Sequence, residues 1–127
     1  MDAPLRHTLP KAERLSGRTA IAALLDKGRY VTAGCLRVCH VDGNGLEHSR
    51  MLVSVPKKSF KRAVKRNLLK RRIRESYRLQ KGLLTVPCDL LFVYTPREVL
   101  PSAAIFSAMT EALTAIDTAA RRGSAKD

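Results

Sequence analysis

The sequence has few of the residues that would indicate a metal-binding or membrane protein. None of its 127 residues is tryptophan, only 5% are aromatic, and its three cysteines, Cys35, Cys39 and Cys88, lack CxxC spacing. His40 beside Cys39 does not complete a zinc-ligand pattern, so we interpret the cysteines as small apolar residues in a reducing compartment. No apolar run approaches the roughly 20 residues of a membrane-spanning helix. The basic segment also lacks the aromatic face of an interfacial anchor, which makes an anionic membrane a poor candidate partner.

Acidic residues are also scarce. The chain has 11 Asp and Glu against 24 Lys and Arg, which gives a formal net charge of +13 at pH 7. Such a surface favours a polyanionic partner, and nucleic acid fits best because each neutralised phosphate releases a condensed counterion. The amino terminus has no apolar stretch after its charges, so we predict a cytoplasmic protein without a secretory signal.

Length and composition predict a single domain. A hydrophobic content of 45% over 127 residues is enough for one core and too little for two. We place the core at about residues 10–122 and predict flexible termini over 1–10 and 123–127. The pattern predicts an α+β fold in which a mixed central sheet is flanked by helices, in the order αβββαβα.

The first half of the chain predicts one helix and three strands. Apolar spacing indicates a short helix over residues 19–27, with Gly28 at its end in the left-handed conformation. Residues 34–41 and 50–55 are predicted to be antiparallel strands, joined as a hairpin by the glycine-containing turn between them. An edge segment over 30–33 precedes this hairpin.

The second half predicts two helices and a buried strand. Residues 60–81 contain no Gly or Pro and predict a long helix that ends at Gly82. The nearly continuous apolar run 88–95 lies between prolines and predicts a central strand. A final helix is predicted from Ser102 to a stop at Gly123. Its apolar line comprises Ile105, Met109, Leu113 and Ile116.

The segment 57–78 concentrates the positive charge. It carries eleven of the 24 basic residues and a single acid, Glu75. On a helix, cations spaced four apart from Arg62 to Arg78 bring like charges together, a repulsion that a bound polyanion would relieve. The alternative is a solvated helix face, although such faces normally intersperse acids. The apolar line that would dock this helix on a sheet comprises Leu69, Ile73 and Tyr77.

The same segment carries a family signature. Residues 54–58 read S-V-P-K-K, and residues 63–75 read A-V-K-R-N-L-L-K-R-R-I-R-E. This pattern closely resembles the central motif of the bacterial ribonuclease P protein family, and the resemblance covers roughly residues 10–120. It implies an α+β fold whose long basic helix lies in a left-handed βαβ crossover. Because nearly all such crossovers are right-handed, this handedness comes from the resemblance alone.

The resemblance also implies a function. The family's protein is a subunit of an endoribonuclease in which a catalytic RNA removes the 5′ leader from precursor tRNA, with Mg²⁺ bound mainly by the RNA and the substrate. The protein subunit would bind that RNA and the leader and would supply no catalytic residue and no metal site. We find no paired carboxylates, no histidine with an obvious partner and no nucleophile elbow. The residues carried over for RNA binding are Lys57, Lys58, Lys61, Arg62, Lys65, Arg66, Asn67, Lys70, Arg71 and Arg74.

Several positions leave the interpretation open or depart from the family. Asn67 could recognise a sugar or base edge, or could satisfy a local backbone group. Leu68 stands where the family usually has a third motif cation. Arg66 and Lys70 are expected to face solvent, so that alanine there would weaken RNA binding and leave the fold intact.

The cleft that holds the leader in the family commonly carries aromatic residues. The matching positions here are Ile21, Leu25, Leu36 and Cys39. Because these side chains cannot stack on bases as aromatics do, leader binding is expected to depend mainly on phosphate contacts. Ile21 and Leu25 could equally be ordinary core residues.

Three other functions were weighed against this one. A ribosomal or other structural RNA-binding protein could use the same basic helix without affecting any reaction. A DNA-binding regulator is disfavoured because no helix-turn-helix pair surrounds that helix. A stand-alone nuclease would cut precursor tRNA without an RNA subunit, and the sequence offers no residues arranged for that chemistry.

Overall fold

Three helices and four strands follow one another in the predicted order. The computed structural model describes the backbone of residues 11–125 and the side chains of residues 11–122. The elements are α1 (Arg18–Lys27), β1 (Arg29–Ala33), β2 (Leu36–Asp42), β3 (Arg50–Ser54), α2 (Ala63–Gln80), β4 (Cys88–Tyr94) and α3 (Ser102–Ala125). This order confirms the α+β class. The termini predicted to be flexible over 1–10 and at 126–127 lie outside the described residues.

The four strands form one mixed sheet in the order β1-β2-β4-β3. β1 pairs antiparallel with β2, β2 pairs antiparallel with β4, and β3 pairs parallel with β4. The parallel pair is joined through α2, which confirms a βαβ crossover containing the basic helix. Its left-handedness stays a prediction. Among the described helices, none is long and apolar enough to cross a membrane.

The predicted hairpin between β2 and β3 is wrong. β4 lies between these two strands, and the true hairpin joins β1 to β2 through Gly34, whose φ of 53° suits glycine. Neighbouring strands lie about 4.8 Å apart, so the chain from β2 to β3 must cross about 10 Å. The connecting loop does so with Gly43 and Gly45 at positive φ, while Asn44 donates to the Asp89 carboxylate at 3.0 Å.

β4 is the central strand because its apolar run needs cover on both faces. Cys88, Leu90, Phe92 and Tyr94 have no exposed surface and face α2 and α3. Leu91, on the other face, packs against the small cluster beneath α1. The prediction that this segment lies centrally is therefore confirmed.

Two cores lie on opposite faces of the sheet. The larger one joins the sheet to α2 and α3, and the predicted line Ile105, Met109, Leu113 and Ile116 is fully buried in it. The smaller one consists of Leu15, Leu24 and Cys39, with Leu52 and Leu91 packed against it. α1 therefore covers only part of its face. Before α1, the Leu15 amide donates to the Met51 carbonyl at 2.8 Å, so the chain runs along the outer edge of β3.

One predicted cap conformation and two predicted helix boundaries are wrong. Gly28 has φ −73° instead of a left-handed φ. α2 begins at Ala63 instead of residue 60, because Phe60 is buried and packs its ring 5.9 Å from that of Tyr94. The backbone of α3 continues through Gly123 to Ala125, since a glycine inside a helix costs only about 1 kcal/mol.

Close packing explains the glycine at position 28. A Cβ atom there would lie 2.3 Å from Cys39 Sγ and 2.4 Å from the Leu24 carbonyl oxygen. We expect Gly28→Ala to push α1 away from the sheet and lower the free energy of unfolding by about 1–3 kcal/mol, measured by urea denaturation. Gly82→Ala is the matched control, because nothing lies within 4 Å of a Cβ atom there. Equal stability of the two variants would contradict this account.

Candidate nucleic-acid interface

α2 presents its cations on a firmly packed base. Leu69 and Ile73 have no exposed surface and Tyr77 is 1% exposed, which confirms the predicted docking line. The Tyr77 ring lies 5.7 Å from that of Phe92 in β4. This packing holds the helix while the charged side chains reach solvent, as long basic side chains do readily.

The start of α2 concentrates positive charge without compensation. Its first turn has no acidic residue, and no side chain caps its first backbone N–H groups. Lys57 and Lys58 are exposed in a turn between the buried Val55 and Phe60, where two amides donate to the Pro56 carbonyl at 3.2 Å. The exposed Lys61, Arg62 and Lys65 follow. Because a helix N-terminus is itself electropositive, this end of α2 is suited to a phosphate.

Arg66 stabilises the start of the helix. Its guanidinium donates to the carbonyl of Phe60 at 2.6 Å and to that of Lys61 at 2.9 Å. Both Arg66 and Lys70 are half-buried, so the prediction that both face solvent is wrong. At 100° per residue, each lies beside the buried stripe of Leu69, Ile73 and Tyr77.

A cationic pocket of about 460 Å³ opens beside α2. Three residues predicted to bind RNA line it, Asn67, Arg71 and Arg74, and all three are exposed. Glu75, Arg78 and Arg14 complete the lining. The structure therefore brings part of the predicted site together and adds two arginines to it. Arg14 is distant from α2 in the sequence, and nothing in the sequence showed that it lies beside this helix.

The single acid of the basic segment is already paired. Glu75 forms an ion pair with Arg78 one turn later, and the Arg78 Nε donates to Glu75 at 3.1 Å. Hydrogen bonding to Arg78 lowers the pKa of the Glu75 carboxyl, which is therefore ionised at neutral pH. The pocket keeps a cationic excess because Arg14, Arg71 and Arg74 outnumber this one carboxylate.

The four residues predicted for a leader cleft do not share one surface. Leu36 faces α2 and α3 in the larger core, whereas Cys39 faces α1, because side chains three apart on a strand point to opposite faces. Both are fully buried. Leu25 is 48% exposed and Ile21 is half-buried on α1. Leu36 is therefore a wrong assignment, since no single cleft contains it together with Cys39.

The sheet face that α1 partly covers carries an exposed aromatic residue that the sequence analysis did not assign to the site. Tyr30 pairs with Cys39 in the register of β1 and β2 and is 50% exposed. The Arg37 guanidinium lies 4.3 Å from the centre of the Tyr30 ring, which is cation–π geometry. A hydrogen bond with Cys39 raises the pKa of the Tyr30 phenol, which is therefore neutral and does not repel phosphate. The sequence predicted residues 30–33 as an edge segment without a pairing partner. It therefore could not place Tyr30 beside Cys39 and Arg37, which depends on the register of β1 and β2.

The described residues contain one histidine–carboxylate pair with a thiol beside it. His40 Nδ1 lies 2.6 Å from Asp42 Oδ1, and Cys88 Sγ lies 3.8 Å from the same oxygen. The statement that no histidine has an obvious partner is therefore wrong. Burial, reinforced by Asp42, raises the pKa of the Cys88 thiol to about 12, which leaves almost no nucleophilic thiolate at neutral pH. No group of three or more His, Cys, Asp or Glu in this described region is placed to hold a metal ion.

Comparisons with known proteins agree with this fold. A family model described as Ribonuclease P matches residues 9–117. A Ribonuclease P protein component from Porphyromonas gingivalis is 47% identical over 88 residues, covering 66% of this chain and 63% of the relative. One from Ralstonia pickettii is 36% identical over 102 residues, covering 79% and 72%. The chain thus aligns with less than two thirds of the length of the Porphyromonas relative.

Two solved structures share the architecture. The Staphylococcus aureus RNase P protein is 25% identical, with a TM-score of 0.73 over 84% of this chain and 96% of that one. The Thermotoga maritima RNase P protein, at 23% identity, shows the same fold with a TM-score of 0.71 over 81% and 96%.

A four-stranded mixed sheet with a cation-rich helix in its crossover defines a small basic α+β protein. The match over residues 9–117 then fixes the family. This chain belongs to the ribonuclease P protein family.

The hydrogen bonds of Arg66 generate a stability prediction. Because Arg66→Ala removes both bonds at the start of α2, we expect it to lower the free energy of unfolding by about 1 kcal/mol, measured by urea denaturation. Lys65→Ala is the control, since Lys65 is the neighbouring cation and is exposed. An Arg66→Ala variant as stable as the control would show that these bonds add nothing.

Proposed function

We propose that this chain is the protein subunit of ribonuclease P, and that it binds a catalytic RNA and assists it in removing the 5′ leader from precursor tRNA. The observation that carries the proposal is the cationic surface of α2, whose first turn has no acidic residue, in a chain whose family is established over residues 9–117. An RNA backbone would relieve the repulsion among these cations.

The basic surface would divide into two contact regions. The first is the start of α2 with the preceding turn, where helix N–H groups and the lysines at positions 57, 58 and 61 would hold phosphates. The second is the cationic pocket, where arginine forks can bind phosphate oxygens in pairs and Asn67 can donate and accept. Half-buried Arg66 and Lys70 lie nearer the protein and would contribute charge more than direct contacts.

The uncovered sheet face beside α1 would receive the single-stranded leader. Tyr30 offers an exposed ring for a base, and Arg37 offers a charge for a phosphate. Ile21 and Leu25 would line the α1 side of this surface. The leader contribution therefore includes one aromatic contact beside the phosphate contacts expected from the sequence.

The catalytic RNA would carry the chemistry, with Mg²⁺ bound mainly by that RNA and by the substrate in the cytoplasm. Mg²⁺ prefers oxygen ligands such as carboxylates, and the basic surface offers one carboxylate, Glu75, which is paired with Arg78. The role of this chain would be to neutralise phosphates and to position the substrate RNA.

Stimulated cleavage at low Mg²⁺ tests the proposal. Adding the protein to ribonuclease P RNA and precursor tRNA should increase the cleavage rate, and the protein without that RNA should not cut. Because two phosphate contacts are lost, Arg71→Ala with Arg74→Ala should reduce the stimulation and lower the slope of log affinity against log salt by about 2. The control is Arg122→Ala, an exposed arginine in α3.

The outcome separates the alternatives. RNA binding without any stimulation of cleavage would favour a structural RNA-binding protein instead. Cleavage by the protein alone would favour a nuclease.

A second prediction concerns the leader. We expect Tyr30→Ala to weaken the affinity for a precursor with a long leader about 5- to 150-fold, because one stacking contact is lost. The affinity for tRNA without a leader should stay the same, and Tyr30→Phe should retain the binding. The measurement is affinity as a function of leader length, and an equal loss with and without the leader would contradict this placement.

A further inference from the structure

A groove of about 450 Å³ runs between α2 and α3 on the outer side of the helix layer. Its walls include two large apolar side chains, Leu79 and Phe106, which are 44% and 42% exposed. Ser102 and Ala103, the first residues of α3, also line it. Such a volume lies within the usual range of small-ligand sites, about 300–1,000 Å³.

Two hydrogen bonds fix α2 relative to α3 and to the segment before α3. The Gln80 side chain donates to the Phe106 carbonyl at 3.0 Å, which fixes the position of the aromatic residue against α2. The Arg72 guanidinium donates to the Leu100 carbonyl at 2.7 Å, which ties α2 to the segment before α3. Because both walls are anchored, a ligand would meet a preformed site and would lose little binding energy to ordering it.

The groove is continuous with the cationic pocket of the proposed RNA surface. Arg71 and Glu75 line both the pocket and the groove. A phosphate held by Arg71 therefore places the sugar and base of the same nucleotide next to the groove. Arg71 and Arg72 at the rim also outnumber Glu75, so the groove favours an anionic ligand over a cationic one.

The side of α2 that faces this groove is less basic than the side that lines the pocket. Three apolar residues are spaced 4 and 11 residues apart in α2, which places them on one side of the helix: Val64, Leu68 and Leu79. Val64 is 79% exposed. Leu68, where the family usually has a third motif cation, falls on this less basic side.

We propose that the groove between α2 and α3 binds one unstacked nucleobase of the RNA that contacts α2, with the base against Phe106 and its phosphate on Arg71. This inference rests on the proposed function. A nucleobase has apolar faces and polar edges, and single-stranded RNA is commonly bound by stacking on aromatic side chains with cations along the backbone. The apolar walls, the aromatic ring and the shared arginine provide those contacts.

The salt dependence of RNA binding distinguishes a base from a phosphate contact. With ribonuclease P RNA as the probe, we expect Phe106→Ala to weaken binding about 5- to 150-fold at every salt concentration and to leave the salt slope unchanged. Arg71→Ala should instead lower the slope by about 1. Phe106→Leu keeps an apolar side chain but removes the ring, so it should show a similar loss if stacking, and not folding, is responsible.

Fluorescence gives an independent readout because the chain contains no tryptophan. Phe106→Trp places the chain's single tryptophan in the groove, and its emission, excited selectively over that of the tyrosines, should be quenched when RNA binds. Leu46→Trp is the matched control, since Leu46 is 41% exposed in the loop between β2 and β3 and does not line the groove. Its emission should stay the same. Thermal unfolding of each variant verifies that the fold is retained.

The results separate this inference from the function on which it rests. If the unmodified protein fails to bind the RNA, the proposed function fails. If it binds, and the Phe106 variants bind equally well with no quenching of Phe106→Trp, only the base-binding groove is overturned. A change in sedimentation of the Phe106 variants without any change in RNA binding would also overturn it, in favour of a second protein copy in the groove.

Discussion

The burial of β4 between two neighbouring strands is the constraint on which the rest of the structure depends. A strand that is apolar on both faces must be covered by helices on one side and by α1 on the other. Because β3 is parallel to β4, the chain returns to the start of β4 through a helix, and that helix is α2. The position of the cationic side chains thus follows from the way the central strand is enclosed.

The basic helix shows two uses of the same residue type. Lys65, Arg71 and Arg74 are exposed and available to a polyanion. In contrast, Arg66 donates to two carbonyls before the helix and Arg72 to a third before α3. Arginine suits both uses because its guanidinium has five donors in a fixed plane. Some cations in a segment that looks uniformly charged in sequence therefore stabilise the fold. Net charge alone does not distinguish them from the cations that are free to bind a partner.

Periodicity and composition predicted the class of fold, the order of the elements and the apolar lines of α2 and α3, since these depend on local spacing. Strand pairing was predicted wrongly, because a glycine-containing turn suggests a hairpin while the burial of residues 88–94 places β4 between the strands. Part of the cationic pocket was predicted from the motif, but Arg14 depends on a contact between distant segments. Leu36 was misassigned because matching family positions ignores which face of a strand each residue occupies.

The backbone hydrogen bond from Leu15 to Met51 has two effects, one on the sheet edge and one on the cationic pocket. It pairs part of the otherwise open margin of β3, and it holds the neighbouring Arg14 where that side chain lines the cationic pocket. Unpaired strand margins promote self-association of sheets. If the proposed RNA contact includes Arg14, that contact would also hold this margin in place and oppose sheet-to-sheet association.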